Sequence, residues 1–530
     1  MKLYARLVVA LGFPIAAVCT LSLPLILLGA VAPDPRPWNW PTVYIVDFLY
    51  GLALFSQLVG FLCRTSRNRL WTAAVGGYTA LAFGQAALEA PARRAASPHH
   101  RKMVHFPLHV RRAAPRGADA AARVPAWAVL DGVFPFSGAL NMTNLASAPA
   151  SGRPGVLLTG ATGFLGGYLL KELVERTEMP IYCLTRSDGT FGARARLMDN
   201  LHFLFGADVV EAWPLERIAI VEGDLAKERF GLSEAGYAEL AERTGAVFHA
   251  AAMLWHFGKL EQFLKVNVQG TENLLAFCSA GMPKTLNHIS TLAVSGRRCD
   301  NPKNLFTEAD FHESMECPNV YVETKYEAEK RLRPAMLAGH AVRIFRPGFI
   351  MGDSKTGRFK KHITSDAQYL HLQGHIFMRT APPLYDDDYM DLTPVDYAAA
   401  AIVHIAFQPD TPPGTYHVCN PQPILKSQIW DIIRDYGFPV RTVPAERYLE
   451  EVLDSDDELF LRGLQSVIVY LGDYEKSPAI FDASETLRRL KGSGISCPPP
   501  DPALLRRYLD YCVDIGFLPH PSTLGGLEWS

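Results

Sequence analysis

The 530-residue chain is long enough for two or three domains, each able to bury a core of its own. Its net charge of −2, with 20% charged residues, excludes a strongly basic nucleic-acid-binding protein and an acidic disordered chain. The nine cysteines form no Cys-x-x-Cys pair and no Cys/His cluster with zinc-ligand spacing, so we expect neither a disulfide framework nor a metal site.

The first 90 residues carry three apolar runs, at about 7–32, 43–63 and 70–88, and predict a membrane-associated region. The first run contains no charged residue and is long enough to cross a hydrocarbon layer of about 30 Å. We therefore predict two membrane spans, formed by the first two runs, and an interfacial or folded-back third run. A cleaved secretory signal is the alternative for the first run, because Lys2 and Arg6 precede it and Ala-Val-Ala follows it.

Basic residues predict the orientation of these spans. Arg64, Arg67 and Arg69 follow the second run, whereas the loop before it holds only Arg36. Because basic residues accumulate on the cytoplasmic side of a membrane, we expect the rest of the chain to face the cytosol.

Residues 91–151 form a predicted linker rich in Ala, Pro and Arg. Eight Lys or Arg residues lie between Arg93 and Arg123, against the single acidic residue Asp119. Contact with anionic lipid headgroups and a merely solvated connector are both compatible with this composition.

Glycines follow an apolar strand at the start of the next region. The run Gly155–Leu158 is typical of a buried parallel strand, and apolar residues from Phe164 to Val174 have helical spacing. Between them, Gly160 permits a tight turn, Gly163 lets the backbone approach a pyrophosphate, and Gly166 lets the helix pack on the strand. The strand–turn–helix order therefore predicts a dinucleotide site at a helix N-terminus.

A second apolar strand at 180–186 ends in Arg186, about where an NAD-preferring site places an acidic residue on the ribose. A guanidinium matches a 2′-phosphate, so the sequence favours NADPH, with Arg196 as a candidate second clamp. The alternative is that both are ordinary surface arginines.

Two further strands are predicted at 218–222, followed by Gly-Asp-Leu, and at 246–252, which ends in small residues. Asp224 is either an acceptor for the adenine amino group or a cap of the segment that follows it. The residues of these segments predicted to contact the cofactor are Gly160, Thr162, Gly163, Phe164, Leu165, Gly166, Arg186, Arg196, Asp224, Leu225, Ala250 and Ala251.

Tyr321 and Lys325 are four residues apart, which on a helix places both side chains on one face. A free tyrosine titrates near ~10, so we expect Lys325 to favour the phenolate, and we expect both residues to contact the cofactor as well. The predicted strand at 286–296 presents two hydroxyls, Ser290 and Thr291, and either could hydrogen-bond the reacting oxygen.

Together these motifs resemble the extended short-chain dehydrogenase/reductase superfamily over about residues 152–520. The resemblance implies an α/β fold with a Rossmann-type doubly wound parallel sheet in a core at 152–420. It implies a smaller, mostly helical substrate subdomain at 421–530, where 428–438 and 461–471 show apolar residues at helical spacing.

The resemblance also implies the roles of four residues. Thr291 matches the catalytic Ser/Thr of the superfamily, Tyr321 its tyrosine and Lys325 its lysine. Asn267, in Lys-Val-Asn-Val-Gln-Gly-Thr, matches the asparagine that supports a proton relay.

Three later motifs are similar to thioester reductase domains, which terminate peptide and polyketide synthetases and carboxylic acid reductases. They are RPGFIMGDSKTG at 346–357, TPVDY at 393–397, and ISCPPPD at 495–501 followed by the run at 504–519. The resemblance implies NADPH-dependent reduction of an acyl thioester, bound to a carrier protein or to coenzyme A, to an aldehyde or further to an alcohol. The chain departs from these domains because it lacks an adenylation or carrier domain, which leaves the source of its acyl group open, with a separate carrier protein as one candidate.

Three alternative functions share these features. The first is a membrane-bound fatty acyl-CoA reductase, and the second is a sugar or sterol dehydrogenase or epimerase on the same fold. The third is a non-catalytic NADP-binding membrane scaffold. The sequence leaves the acyl group and the oligomeric state open.

Overall fold

A computed structural model describes residues 154–524, with gaps at 188–191, 255–258, 297–304, 314–316, 318, 383–388 and 456–479. The predicted membrane-associated region at 1–90, the linker at 91–151 and the helix predicted at 461–471 lie outside the described residues. Within the described part of the chain, every helix is too short or too polar to cross a bilayer.

Seven parallel strands form the central sheet, which confirms the predicted Rossmann-type architecture. The strands are β1 Gly155–Thr159, β2 Ile181–Thr185, β3 Ile218–Glu222, β4 Thr244–His249, β5 Thr285–Ile289, β6 Val342–Pro347 and β7 Gly414–Val418. Their order across the sheet is β7-β6-β5-β4-β1-β2-β3. The chain therefore leaves β1 in one direction and β4 in the other, and a ligand site is expected at the carboxyl ends of these two strands.

Helices cover both faces of the sheet, and further helices follow in the C-terminal part of the fold. They are α1 Phe164–Arg176, α2 Ala193–Phe205, α3 Glu234–Arg243, α4 Gly270–Cys278, α5 Val320–Leu337, α6 Ala367–Met378, α7 Val395–Phe407, α8 Lys426–Tyr436, α9 Ala445–Asp454, α10 Ser484–Leu490 and α11 Pro502–Asp514. Further short α-helices lie at Ala207–Glu211, Leu260–Phe263 and Pro521–Leu524, and a π-helix at Leu264–Gln269 leads into α4.

The two faces of the sheet bury separate apolar cores. Helices α1, α2 and α7 cover one face, through side chains such as Leu169, Leu201 and Ile402. Helices α3, α4 and α5 cover the other face, through side chains such as Leu274 and Leu332. Both cores are fully buried, so the β-strands read as near-continuous apolar runs, as they do in the sequence.

The C-terminal residues contribute to more than one core. Helices α6, α8 and α11 enclose a third apolar cluster, which includes Tyr369, Trp430 and Leu509. By contrast, Leu490 of α10 is buried in the same cluster as α1 and α7.

Two strands end earlier than predicted. The strand predicted at 246–252 ends at His249, because Ala250 and Ala251 turn away beside Gly160. The strand predicted at 286–296 ends at Ile289 and continues as a 3-10 turn at Leu292–Ser295, with the Thr291 hydroxyl accepting from the Ala293 N–H at 3.2 Å.

Candidate active site

The backbone of the glycine turn between β1 and α1 is closely packed. Gly160 has a φ of +81°, and a Cβ there would lie 2.6 Å from the Ala251 nitrogen. A Cβ on Gly166 would lie 1.9 Å from the Gly160 carbonyl oxygen, so α1 packs on the turn without a side chain between them. These contacts agree with the roles predicted for both glycines.

The N-terminus of α1 leaves a space suited to a pyrophosphate. Gly163 is exposed, and its N–H donates to the Gly160 carbonyl at 2.9 Å. A Cβ on Gly163 would meet a single neighbour, the Gly160 oxygen at 3.2 Å, and no side chain caps α1. A bare helix N-terminus beside open space fits the diphosphate of a nicotinamide dinucleotide.

The other predicted residues of this turn differ in their surroundings. Thr162 and Leu165 are half-buried, as is Phe164, whose ring packs edge-on against Phe359 at 4.9 Å between centroids. Phe164 thus joins the nucleotide side of the fold to the C-terminal apolar cluster.

Arg186 lies directly after β2 with an exposed side chain. Arg196 of α2 donates from Nη1 to the Arg186 carbonyl at 2.8 Å. The two arginines therefore lie close together, and Arg196 holds the backbone that carries Arg186.

Asp224 caps the segment that follows β3, because its Oδ1 accepts from the Ala226 N–H at 3.0 Å. The structure thus shows the capping role, one of the two roles weighed for this residue. Leu225 is buried, and its side chain packs against Gly270 of α4. Ala250 and Ala251 lie against Gly160, where their small side chains leave the turn accessible.

Tyr321 and Thr291 meet at the carboxyl end of β5. Helix α5 begins at Val320, and its N-cap Asn319 accepts from the Val322 N–H at 3.0 Å. Tyr321 therefore lies in the first turn of α5, where it hydrogen-bonds with the Thr291 side chain. Burial raises the pKa of Tyr321 to about 12, and the hydrogen bond with Thr291 opposes this rise. Tyr321 is consequently protonated at neutral pH and suited to donate.

Lys325 is buried, with 3% of its surface exposed, and its Nζ donates to the Ile289 carbonyl at 2.6 Å. Burial lowers the pKa of Lys325 to about 8, opposed by the negative charge of Glu329. The prediction that Lys325 lowers the pKa of Tyr321 is therefore wrong. The causes that shift the pKa of Tyr321 are burial and Thr291, since the ammonium is directed to the β5 carbonyl.

Asn267 lies in the π-helix, 2% exposed, and joins two segments of the site. Its Oδ1 accepts from the Met253 N–H at 2.8 Å, and its Nδ2 donates to the Thr324 hydroxyl of α5 at 2.9 Å. Asn267 therefore holds the helix that carries Tyr321 and Lys325.

A buried polar chain links Asn267 to the glycine turn. The Asn267 carbonyl accepts from the Thr271 hydroxyl at 2.6 Å, and Thr271 lies 3.0 Å from His249 Nε2. His249 Nδ1 lies 2.9 Å from the Thr159 hydroxyl, which ends β1. Because Thr271 donates to Asn267, His249 carries its proton on Nε2 and accepts from Thr159. Burial, and then the charge of Lys325, lowers the pKa of His249 to about 3, so the ring is neutral.

Ser290 and Thr291 have different partners. The Ser290 hydroxyl donates to Glu329 at 2.5 Å, whereas the Thr291 side chain hydrogen-bonds with Tyr321. Thr291 is therefore the hydroxyl of this pair that meets Tyr321. Glu329 itself was not predicted as a site residue, although its spacing was available: Tyr321, Lys325 and Glu329 follow one another at intervals of four residues.

Known proteins resemble this chain in sequence and in fold. A family model described as male sterility protein, of an NAD-binding type, matches residues 158–402. Isonitrile lipopeptide synthase of Streptomyces coeruleorubidus is 31% identical over 394 residues, which is 70% of this chain and 25% of that protein. The terminal R domain from the myxalamid PKS-NRPS biosynthetic pathway is 34% identical, with a TM-score of 0.61, over 69% of this chain and 92% of that chain. A thiolation-reductase di-domain from an archaeal non-ribosomal peptide synthetase is 25% identical, with a TM-score of 0.60, over 69% and 76% of the two chains.

The seven-stranded sheet, the glycine turn and the Thr291–Tyr321–Lys325 group define an extended short-chain dehydrogenase/reductase that binds a nicotinamide dinucleotide. Within that class, the match to the myxalamid R domain shows that the chain belongs to the terminal thioester reductase domains. The chain spans 8%, 25% and 37% of three curated relatives, so it corresponds to one region of much longer proteins.

Proposed function

We propose that this protein reduces an acyl thioester to an aldehyde with NADPH. The observation that carries the proposal is the hydrogen-bonded pair Thr291 and Tyr321 beside buried Lys325. This group lies at the carboxyl end of β5, two strands from the β1 turn that is suited to a pyrophosphate. One edge of the sheet thus holds a site for the reductant and a proton donor.

The side chains have distinct parts in this reaction. When bound, NADPH would supply the hydride for the new C–H bond at the thioester carbonyl carbon. Tyr321, protonated at neutral pH, donates a hydrogen bond to the carbonyl oxygen as negative charge develops there, and Thr291 adds a second polar contact. Lys325 would hold the nicotinamide ribose next to this group, which would keep the reacting carbon and the hydride donor close. The C–S bond then breaks, the thiolate leaves with its electron pair, and the carbonyl of the aldehyde re-forms.

The preference for NADPH over NADH rests on Arg186. Its side chain is exposed at the end of β2, and its backbone is held by Arg196 at 2.8 Å. A guanidinium at this place suits a 2′-phosphate and offers nothing comparable to a free ribose hydroxyl.

We infer that the acyl group is delivered on a carrier protein. The relatives support this: one is a thiolation-reductase di-domain, and another is a lipopeptide synthase of which this chain spans 25%. The rival donor is coenzyme A, as in a membrane-bound fatty acyl-CoA reductase.

The reductase would be anchored to a membrane lipid bilayer with its catalytic part in the cytosol. The uncharged run at 7–32 and the arginines after the second apolar run support this proposal. Carbonate extraction of cell membranes tests the anchor, and protease treatment of sealed vesicles tests the side. Release of the chain by carbonate would contradict the anchor.

The reaction is tested by incubating the 530-residue chain with NADPH and two series of acyl thioesters, one on a phosphopantetheine carrier protein and one on coenzyme A. Consumption of NADPH is followed by the loss of its absorbance, and products are identified by mass. We expect an aldehyde, faster turnover from the carrier, and loss of turnover in Tyr321→Phe with NADPH binding kept. Turnover of secondary alcohols or nucleotide sugars instead of thioesters would favour a dehydrogenase or epimerase. Equal turnover in Tyr321→Phe would contradict the assigned site.

A further inference from the structure

A fully buried ion pair lies directly behind the catalytic group. Glu329 of α5 and Arg346 of β6 have side chains with 0% exposure. Arg346 binds the carboxylate with two donors, from Nε to Oε1 at 3.0 Å and from Nη2 to Oε2 at 2.7 Å. Ser290 donates to the same Oε1 at 2.5 Å. We name Ser290, Glu329 and Arg346 the buried carboxylate cluster.

This cluster holds the segment that makes both contacts to the catalytic pair. Ser290 is flanked by Ile289, whose carbonyl binds Lys325, and by Thr291, which hydrogen-bonds with Tyr321. Glu329 lies one helical turn beyond Lys325 on α5. One carboxylate therefore connects the end of β5 to the helix that carries Tyr321 and Lys325.

Stability alone gives a weak reason for such a pair. Burying two charges has a large desolvation cost, and apolar side chains of similar volume are often neutral or stabilising replacements. The Glu329–Arg346 ion pair therefore indicates a role that depends on its charges, which a pair of apolar side chains could not have.

The charges around Lys325 suggest that role. Burial keeps His249 and His288, which face it from β4 and β5, uncharged, and Tyr321 on its own helix is also uncharged. Glu329 is the one charged group among the described residues that shifts the pKa of Lys325, and it raises it. On its far side Glu329 is paired with Arg346, which in turn lies 3.3 Å from the neutral ring of His417.

We propose that Glu329 is a positioning residue for thioester reduction: its carboxylate holds the Ser290–Thr291 segment in place and puts a negative charge one helical turn from the Lys325 ammonium. The inference rests on the proposed reductase function, because Lys325 and Thr291 have their roles in that reaction. Glu329 itself touches neither substrate nor cofactor.

The main test replaces both charges, since Glu329→Gln alone leaves Arg346 buried without its counterion, which is strongly destabilising. The double variant Glu329→Met/Arg346→Met removes that problem. Ser290→Ala removes the hydroxyl and keeps the charges. Glu327→Gln is the matched control, because Glu327 is on the same helix and is only partly buried. Each variant is made in the 530-residue chain.

Two readouts are measured against pH: kcat for the thioester, and NADPH affinity from nucleotide fluorescence. We expect the double variant to fold, to lose about 10-fold in kcat at about pH 7.5, and to lose activity and NADPH affinity at a pH about one unit lower than the unaltered chain. Ser290→Ala should lower kcat without moving the pH of this loss, and Glu327→Gln should change neither quantity.

A folded double variant with unaltered kcat and unaltered pH dependence would overturn the inference. A double variant that does not fold would also overturn it, since the pair would then be needed for stability. If the unaltered chain binds NADPH but turns over no thioester, the proposed function fails. The inference is then judged on the pH dependence of NADPH affinity, and an unshifted curve in the double variant overturns it.

Discussion

Replacing Gly166 by alanine tests whether α1 and the glycine turn are in direct contact. The new Cβ would lie 1.9 Å from the Gly160 oxygen and 2.6 Å from its carbonyl carbon, and both are backbone atoms that cannot rotate away. Helix α1 would have to move by about 1.5 Å to reach ordinary contact. That movement disturbs Leu169 and Leu173, which are fully buried.

Two effects of this substitution oppose each other. Alanine inside a helix is favoured over glycine by about 1 kcal/mol. Overpacking a dense interior costs about 1–3 kcal/mol, and more when the neighbour is backbone. We therefore expect a net loss of about 2 kcal/mol in the free energy of unfolding. The measurement is urea unfolding followed by tryptophan fluorescence and circular dichroism.

Gly163→Ala is the matched control. Its Cβ would meet the Gly160 oxygen at 3.2 Å and would otherwise enter the space assigned to the pyrophosphate. Stability should therefore change little, whereas the Kd for NADPH should rise about 10-fold or more. A Gly166→Ala protein as stable as the unaltered chain would refute the close contact. A Gly163→Ala protein with unaltered affinity would refute the nucleotide site.

Three further predictions concern catalysis. Tyr321→Phe should lower kcat by about 100- to 10,000-fold with an unaltered Kd for NADPH, because only the proton donor is removed; an intact kcat would contradict its role. Arg186→Ala should raise KM for NADPH by about 10- to 100-fold and leave KM for NADH nearly unaltered; equal effects on both nucleotides would count against a 2′-phosphate contact. Lys325 has a pKa lowered to about 8, so kcat should fall as the pH rises through that value and the ammonium is lost. Between pH values of about 8 and 10.5, Lys325 is protonated in the unfolded chain but not in the folded chain. The free energy of unfolding should therefore rise as the pH rises through this range, because the cost of burying the ammonium is lost. A flat rate profile across a pH of about 8 would contradict the assignment of a charged Lys325.

Local patterns predicted the frame of the site. The spacing of Gly160, Gly163 and Gly166 depends on one turn and one helix, and the contacts of that turn follow from backbone geometry alone. The buried strands were also readable, because a strand covered on both faces is apolar throughout. The strand ends were less predictable: small residues such as Ala250 and Ala251 suit either a strand or the turn that packs on Gly160.

The contacts of the site side chains could not be predicted from the sequence, because their partners lie in segments far away along the chain. Lys325 was placed correctly on the face of Tyr321, but its ammonium is bound by the carbonyl of Ile289, 36 residues away. Glu329 and Arg346 are 17 residues apart and meet because α5 lies across β6. The sequence around Glu329 or Arg346 contains no pattern that predicts this contact. The choice between Ser290 and Thr291 likewise required the position of α5.

Glu308 has a consequence for protein engineering. Its carboxylate accepts from the N–H groups of His417, Glu485 and Thr486, at 2.9, 2.7 and 3.0 Å. It therefore connects edge strand β7 to the start of α10, whose Leu490 is buried in the core that α1, α2 and α7 form on one face of the sheet. A chimera that exchanges everything after residue 420 with a relative would sever these ties and expose apolar surface. A chimera that replaces C-terminal helices should instead spare 480–490 and graft only the helices that enclose Trp430 and Leu509.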